Sequence, residues 1–419
     1  MKAALYGTLT LLLSIHSAAC GQHLPAPPTP LAELLSEAKA NNPEISAVNH
    51  AWKASQQGVA RARTLPDPKL TVQQFSVGSP EPFAGYTNSD FAYIGIGASQ
   101  ELPFPGKLRL RGDVAAAEAE SVHTEVFLKA SSIADAIKAD YIQLAYLQQT
   151  LPILEASKAE LDQLIQDATL HYQVGEGMQQ DVLQAQIERT KLVREVARHH
   201  ERVAELQAHL KSVLHRDQAS ADVVTEGLRE TPLTVSDADI LAQIRTQNPQ
   251  VQADARASAE QQAKLASAKR EGKPDFEVSY MYQNTDRKYR DYYMLTVQMR
   301  LPRKQRINAE VTRAAEALAQ SRDLLDAQLQ QQMADATQQH AKAASDAEIL
   351  TDYRDGLLPQ SDAAYRATLN AYAANREQFA HVISSFLALL NLRMEMLQTL
   401  ADHELAVARL ETLTGATLR

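Results

Sequence analysis

Asn42-Pro43 recurs as Asn248-Pro249, and the ordered echo around it limits what this chain can fold into more than any other feature. At the same offset of 206 positions, Ala62-Arg63 meets Ala268-Lys269 and Pro68 meets Pro274. The offset falls to 199 at Leu102-Pro103 and Leu301-Pro302, then settles at 200, where Tyr172 meets Tyr372 and Val182 meets Val382. One shared landmark is cheap, but agreement kept in order over a long unit marks an internal repeat. The chain reads as two copies, 31–225 and 226–419, with residues gained or lost in a loop causing the drift.

Each copy runs through the same series of elements. A short helix ends at the Asn-Pro, where Asn can cap the next helix and Pro suits its first turn. The periodicity then changes from helical to two-residue. Phe276, Val278, Tyr280 and Tyr282 share one face, with Glu277, Ser279 and Gln283 opposite. Further on, Tyr293, Leu295, Val297, Met299 and Leu301 alternate with Thr296, Gln298 and Arg300. Such alternation predicts strands, here a β-hairpin over about 274–301 with a polar turn. The counterpart hairpin spans about 68–102. Ala92, Ile94, Ile96 and Ala98 alternate there with Gly95, Gly97 and Ser99, while 69–77 lose phase at Gln73-Gln74. Strands of about 9–11 residues suit a tilted crossing of a bilayer.

Very long helices follow. Residues 304–374 contain one proline, Pro359, and one glycine, Gly356. Val311, Leu318 and Leu325 fall seven apart, as do Leu329, Ala336, Ala343 and Leu350 after a shift of four, and Val196, Val203 and Leu210 in the first copy. That recurrence predicts coiled-coil packing. About 65 helical residues at 1.5 Å each reach roughly 100 Å, far beyond the needs of a compact domain.

The only cysteine is Cys20, so no disulfide can form within the chain. Residues 1–19 read as a signal peptide: a short basic start, an apolar stretch, then small residues. "SAAC" at 17–20 resembles a lipobox, with Ser17 where Leu is usual, and the resemblance implies that Cys20 is a lipidated N-terminus and 20–30 a lipid-anchored, Pro-rich tether, while Ser17 and Ala19 also suit an ordinary signal peptidase cut at the same bond. Gly21, in place of an inner-membrane-retaining Asp, points by that resemblance to the outer membrane. Later in the chain no run of 18 apolar residues exists, so no transmembrane helix is expected. A net charge of −9 and the lack of a basic stripe argue against nucleic acid.

Four amphipathic strands cannot close a membrane barrel, because single-chain barrels start at about eight strands. An open sheet edge cannot face lipid either. The strands must therefore stay out of the membrane or be completed by other copies. In the second case Glu277, Ser279, Gln283, Thr296, Gln298 and Arg300 would line a wet lumen, and the aliphatic and tyrosine face would meet lipid.

The paired Asn-Pro starts, "ARTLPDPKL", "AKREGKPDFEV", "QELPFPGK" at 100–107 and "YQVGEGMQQDVLQAQ" at 172–186 resemble the TolC-type outer-membrane efflux protein family over nearly the whole mature chain. The resemblance implies a mainly α protein with a membrane β-barrel. Duplicated helix–hairpin–long-helix units would form it, with long coiled-coil helices making a periplasmic tunnel and four strands per chain joining a twelve-stranded trimeric barrel. It further implies a homotrimer in outer-membrane lipid, docked on a periplasmic adaptor (membrane fusion) protein and an inner-membrane proton-driven efflux pump. "QELPFPGK" looks most like the heavy-metal cation branch of resistance-nodulation-division efflux. A duct for drugs or other organic compounds is the alternative, and a non-conducting, lipid-anchored periplasmic coiled-coil scaffold is the competitor of another class.

By the same resemblance, the helix reversals at 174–177 and 373–377 are the periplasmic tips. Gly175 and Gly177 suit a tight turn needing positive φ; Asn375 and Arg376 stand in the second copy. Family members often carry a pore-facing acidic residue just past the tip. Asp181 fits that pattern, and His381 takes its place in the second copy, with Ser384 next inward. A plain coiled-coil turn is the simpler reading of both. His199, His200 and His209 lack the i,i+4 spacing that helical metal ligands want, so no metal site is expected. No catalytic motif or cofactor signature appears, which excludes an enzyme reading.

Overall fold

The computed structural model describes residues 27–75, 92–285 and 290–416. The signal segment, Cys20 and most of the tether lie outside them. The first copy holds α1 (Leu31–Asn41), α2 (Pro43–Arg63), β1 (Lys69–Phe75), β2 (Tyr93–Leu102), α3 (Lys107–Gln173) and α4 (Gln179–Val213). The second holds α5 (Asp237–Gln247), α6 (Pro249–Arg270), β3 (Asp275–Asn284), β4 (Asp291–Arg300), α7 (Lys304–Asp352), α8 (Leu358–Ala373) and α9 (Phe379–Thr414). A π-helical turn, Tyr353–Leu357, joins α7 to α8 without a break.

The Asn-Pro pairs do more than start helices. Asn42 Oδ1 accepts from the Glu44 and Ile45 N–H groups at 2.8 and 3.3 Å, capping α2. Its Nδ2 donates to the Val213 carbonyl, 2.8 Å away at the far end of α4. Asn248 repeats both halves of this. Its Oδ1 accepts from Val251 N at 2.9 Å, and its Nδ2 donates to Leu413 O at 2.8 Å. Each asparagine thus ties the start of a short helix to the end of the long returning one and satisfies a buried carbonyl there.

Between the landmarks at offset 199 and those at offset 200 the chain is almost entirely helix in both copies. An α-helix absorbs one extra residue as a π turn, and Tyr353–Leu357 is one. Of the heptad positions, Ala336, Ala343, Leu350 and Leu210 are fully buried, whereas Val203, Val311, Leu325 and Leu329 are half-buried. Near the tips Leu161, Leu164 and Ala185 pack with Phe379, Ile383 and Phe386. A second cluster joins Leu34 of α1 to Ile137, Leu144 and Leu210. A third joins Ile240 and Ile244 of α5 to Ala336, Leu410 and Leu413.

Helix α9 is long and apolar enough by length and composition to cross a membrane, a test that a packed core helix passes equally. Its Val382, Ile383, Phe386, Leu389 and Leu390 lie in the inter-helix cluster.

The strands form one antiparallel sheet in the order β1-β2-β3-β4. The β2–β3 pairing joins the two copies, with Leu102 opposite Phe276 and Ile94 opposite Asn284. Strands β1 and β4 are edges within the chain. Despite its broken phase, β1 pairs regularly from Lys69↔Ser99 to Phe75↔Tyr93, with Gln74 on the face of Ile94.

Candidate functional site

The register sorts the sheet into two faces, because directly opposite residues in an antiparallel pair share a side. One face carries Leu70, Val72, Ile96, Leu102, Phe276, Val278, Tyr280, Tyr282, Tyr293, Leu295, Val297 and Met299. On the other, Glu277 lies opposite Gln298, Ser279 opposite Thr296 and Asp275 opposite Arg300, and Gln283 follows in phase. The six polar residues singled out in the sequence are therefore on one side. Met281, Met294 and Tyr292 share that side and were not anticipated. Met281 bends across β2, where only a residue without a side chain fits. A Cβ on Gly97 would sit 2.7 Å from the Tyr280 carbonyl and 3.1 Å from the Met281 methyl.

Below the sheet, the "QELPFPGK" stretch turns β2 into α3 and is tied to the second copy. Lys107, at 2% exposure, bonds Asp275 Oδ2 at 2.9 Å and Glu271 Oε2 at 3.0 Å. Asp275 Oδ1 also accepts from Phe104 N at 2.8 Å. Arg111 adds a bond to Glu271 at 2.9 Å. Arg270 donates to Pro105 O at 2.7 Å and stacks 5.0 Å above the Phe104 ring. A buried cation with carboxylate partners is expensive to disrupt. The sequence offered this knot no signal, because its partners lie 160 or more positions apart.

At the opposite end of the long helices the two reversals have the same backbone. Gly175 and Asn375 adopt φ of +82° and +54°. Glu176 N bonds His171 O at 2.9 Å, and Arg376 N bonds Ala371 O at 2.8 Å. Gly177 departs from its expected role. Its φ is not positive, and what it allows is close approach, since a Cβ would lie 3.1 Å from Tyr172 N. Asn375 Nδ2 donates to Glu176 Oε2 at 3.1 Å, joining one reversal to the other.

Asp181 is half-buried and accepts from Met178 N at 3.4 Å, capping its own helix. Burial first, then the negative charges of Asp181 and Asp167, push the Tyr372 phenol up. His381 is exposed and bonds Glu377 at 2.6 Å. That bond and the Gln378 N–H hold the Glu377 carboxyl below its usual value, the N–H being the larger cause. Arg376 is exposed, and Ser384 Oγ donates to His381 O at 3.0 Å. Higher up, Tyr365 donates to Glu160 at 2.8 Å, and burial followed by that bond pushes its phenol up. The pair links the two copies and was not anticipated.

His199 contacts the Glu195 carbonyl at 3.0 Å, and His209 pairs with Asp140. Neither turns toward a shared centre.

Residues 34–215 match the family model described as "Outer membrane efflux protein". No curated relative matches the chain in sequence. Among solved structures, the outer-membrane channel OprN superposes with a TM-score of 0.78 at 14% identity, covering 93% of this chain and 90% of that one. The outer membrane protein VceC from Vibrio cholerae gives 0.76 at 14% identity, covering 93% and 97%. CusC gives 0.77 at 14% identity, covering 92% of each chain. The fold is therefore that of outer-membrane channel subunits along nearly the whole chain, although the family model matches only the first copy.

Proposed function

We infer that this chain is an outer membrane efflux protein: a subunit of a passive exit duct, not an enzyme. The observation that carries the reading is the sheet. Its four strands have one apolar and one polar face, and both edges are unpaired among the described residues. Open edges in lipid cost several kcal/mol per unpaired group, so other copies must complete the wall. Three copies give twelve strands, with Glu277, Ser279, Gln283, Thr296, Gln298 and Arg300 toward the lumen. The long helices, α3 being 67 residues, continue the wall into the periplasm. The reversals near Gly175 and Asn375 then form the far opening. There Asp181 and His381 ring the pore, and a periplasmic adaptor docks with Gly177 and Arg376 near its contact. An inner-membrane pump supplies the energy, and Cys20 carries the lipid anchor.

Heavy-metal cations are the proposed cargo, supported by the "QELPFPGK" resemblance. Organic compounds are the second reading, supported by Met294 and Tyr292, exposed on the proposed lumen face. Deletion of the gene tests both. Loss of tolerance to copper, silver, zinc, cobalt or cadmium supports the metal reading. Sensitivity to dyes alone transfers the duct to organic cargo, and no sensitivity to either contradicts efflux.

A further inference from the structure

The internal duplication says where the next copy sits, residue by residue. Inside the chain, β2 of the first copy pairs with β3 of the second. In a closed ring the following seam joins β4 to β1 of the neighbouring chain. β4 is the copy of β2 at offset 199, and β1 is the copy of β3 at offset 206. Moving the internal pairs Leu102↔Phe276 and Gln100↔Val278 by those offsets gives Leu301 and Met299 on one chain and Leu70 and Val72 on the next.

We propose that the seam between chains repeats the seam within the chain, with Met299 opposite Val72 of the neighbouring copy and Leu301 opposite its Leu70. The proposal rests on the multichain duct described above and goes beyond it by fixing the register.

Side-chain direction checks this independently of the offsets. Leu70 and Val72 share a face with Ala98 and Ile96 through the β1–β2 pairing. Met299 shares a face with Phe276 through the β3–β4 pairing. The β2–β3 pairing makes these one apolar face. A one-residue slip would place Met299 opposite Thr71 or Gln73 and send apolar side chains into the lumen. Only a slip of two competes.

The four residues are also uncovered in one chain: Leu70 is 73% exposed, Val72 65%, Met299 53% and Leu301 69%. The helices give a parallel observation at offset 200. Ile383 is buried at 1%, whereas its counterpart Leu183 is 51% exposed, and Ile187, counterpart of the core-packed Leu387, is 57% exposed. Covered positions in the second copy are bare in the first, as expected where a second copy of this chain lies against the first.

Paired cysteines in the full-length protein, oxidised in intact outer membranes, test the register. Residues directly opposite lie about 5 Å apart and diagonal ones about 7–8 Å, and a disulfide tolerates only the shorter separation. Val72→Cys with Met299→Cys should convert the monomer band into dimer and trimer bands. Val72→Cys with Val297→Cys or with Leu301→Cys should convert far less. Ile96→Cys with Tyr282→Cys, opposite each other inside one chain, should close without raising the mass. A ladder strongest for Val72 with position 297 or 301 overturns the register and leaves the duct intact. No ladder from any pair in a protein that still runs as a native trimer overturns the repeated seam. Native gels showing no oligomer at all would instead remove the duct reading on which the proposal rests.

Discussion

The two strand-to-helix joints occupy copied positions and carry opposite chemistry. In the first, Lys107 is buried between Asp275 and Glu271. At the repeat offsets these three become Arg306, Lys69 and Leu65. One cation with two carboxylates has turned into two cations and an apolar side chain. Among the described residues, Arg303, Lys304 and Arg306 make no ion pair, and Arg300 reaches Glu101 at 3.5 Å. The first joint fastens two copies within one chain and is complete in the monomer. The second faces the open edge and has no such lock, so a seam made there depends on strand pairing and apolar contact.

Breaking the lock should have the largest effect. Lys107→Met takes the buried cation from Asp275 and leaves Glu271 with Arg111 alone, and should cost about 3–5 kcal/mol, whereas Arg306→Met should stay within about 0.5 kcal/mol, as surface changes do. Denaturant unfolding of the two variants measures the gap, and equal losses would erase the contrast between the joints.

The asparagine pins are where the copies agree, so they should fail alike. Asn42→Ala and Asn248→Ala each remove a cap worth roughly 1–2 kcal/mol and strip the Val213 or Leu413 carbonyl of its donor. Thermal unfolding should show similar losses for both. A silent Asn42→Ala would mean that only the second pin bears on stability.

At the reversals the same backbone is met by different residues. Gly175→Ala forces a side chain into φ of +82° and should cost about 1–2 kcal/mol. Asn375→Gly relieves a comparable conformation and should be neutral or slightly stabilising in the same melt.

Restoring a carboxylate to the second joint should act in the opposite direction. Leu65→Glu places an acid across the interchain seam from Arg306. It should raise the dissociation temperature of the trimer modestly, by no more than about 1 kcal/mol for a partly exposed pair. Semi-native gel melts report it, and a lowered temperature would argue that Arg306 faces elsewhere.

The smallest effect is in pH. The Glu377 carboxyl is held low by Gln378 N–H and His381. Its folded value lies below its unfolded one, so its contribution is present above the ordinary carboxylate range and is lost as pH falls through the folded value. Hydrogen exchange at the 373–377 reversal should be faster in Glu377→Gln than in wild type at neutral pH, and the two should converge in acid. The 174–177 reversal, with Gly177 at the matching place, should not differ.

Much of this was legible from sequence because it is local. Two-residue alternation from Phe276 to Gln283 gave the strand and its faces, and seven-residue recurrence through Ala336, Ala343 and Leu350 gave the buried stripe. Gln74 upset the reading of β1 because one polar residue stands on an otherwise apolar face while the backbone pairing continues. Non-local features were invisible. Nothing near Lys107 names Asp275, and nothing near Tyr365 names Glu160. Asn42 announced its cap but not its bond to Val213, 171 positions away. The π turn was hidden by a one-residue change in offset that a loop explained equally well.

Single-channel recording of the purified, full-length protein in planar bilayers tests the central claim most directly. A subunit of an exit duct predicts discrete conductance steps from a heat-sensitive trimer, with ion selectivity altered by Glu277→Gln and Arg300→Gln on the lumen face. A stable trimer that never conducts, at any voltage, pH or salt, would contradict the duct and leave a coiled-coil scaffold in its place.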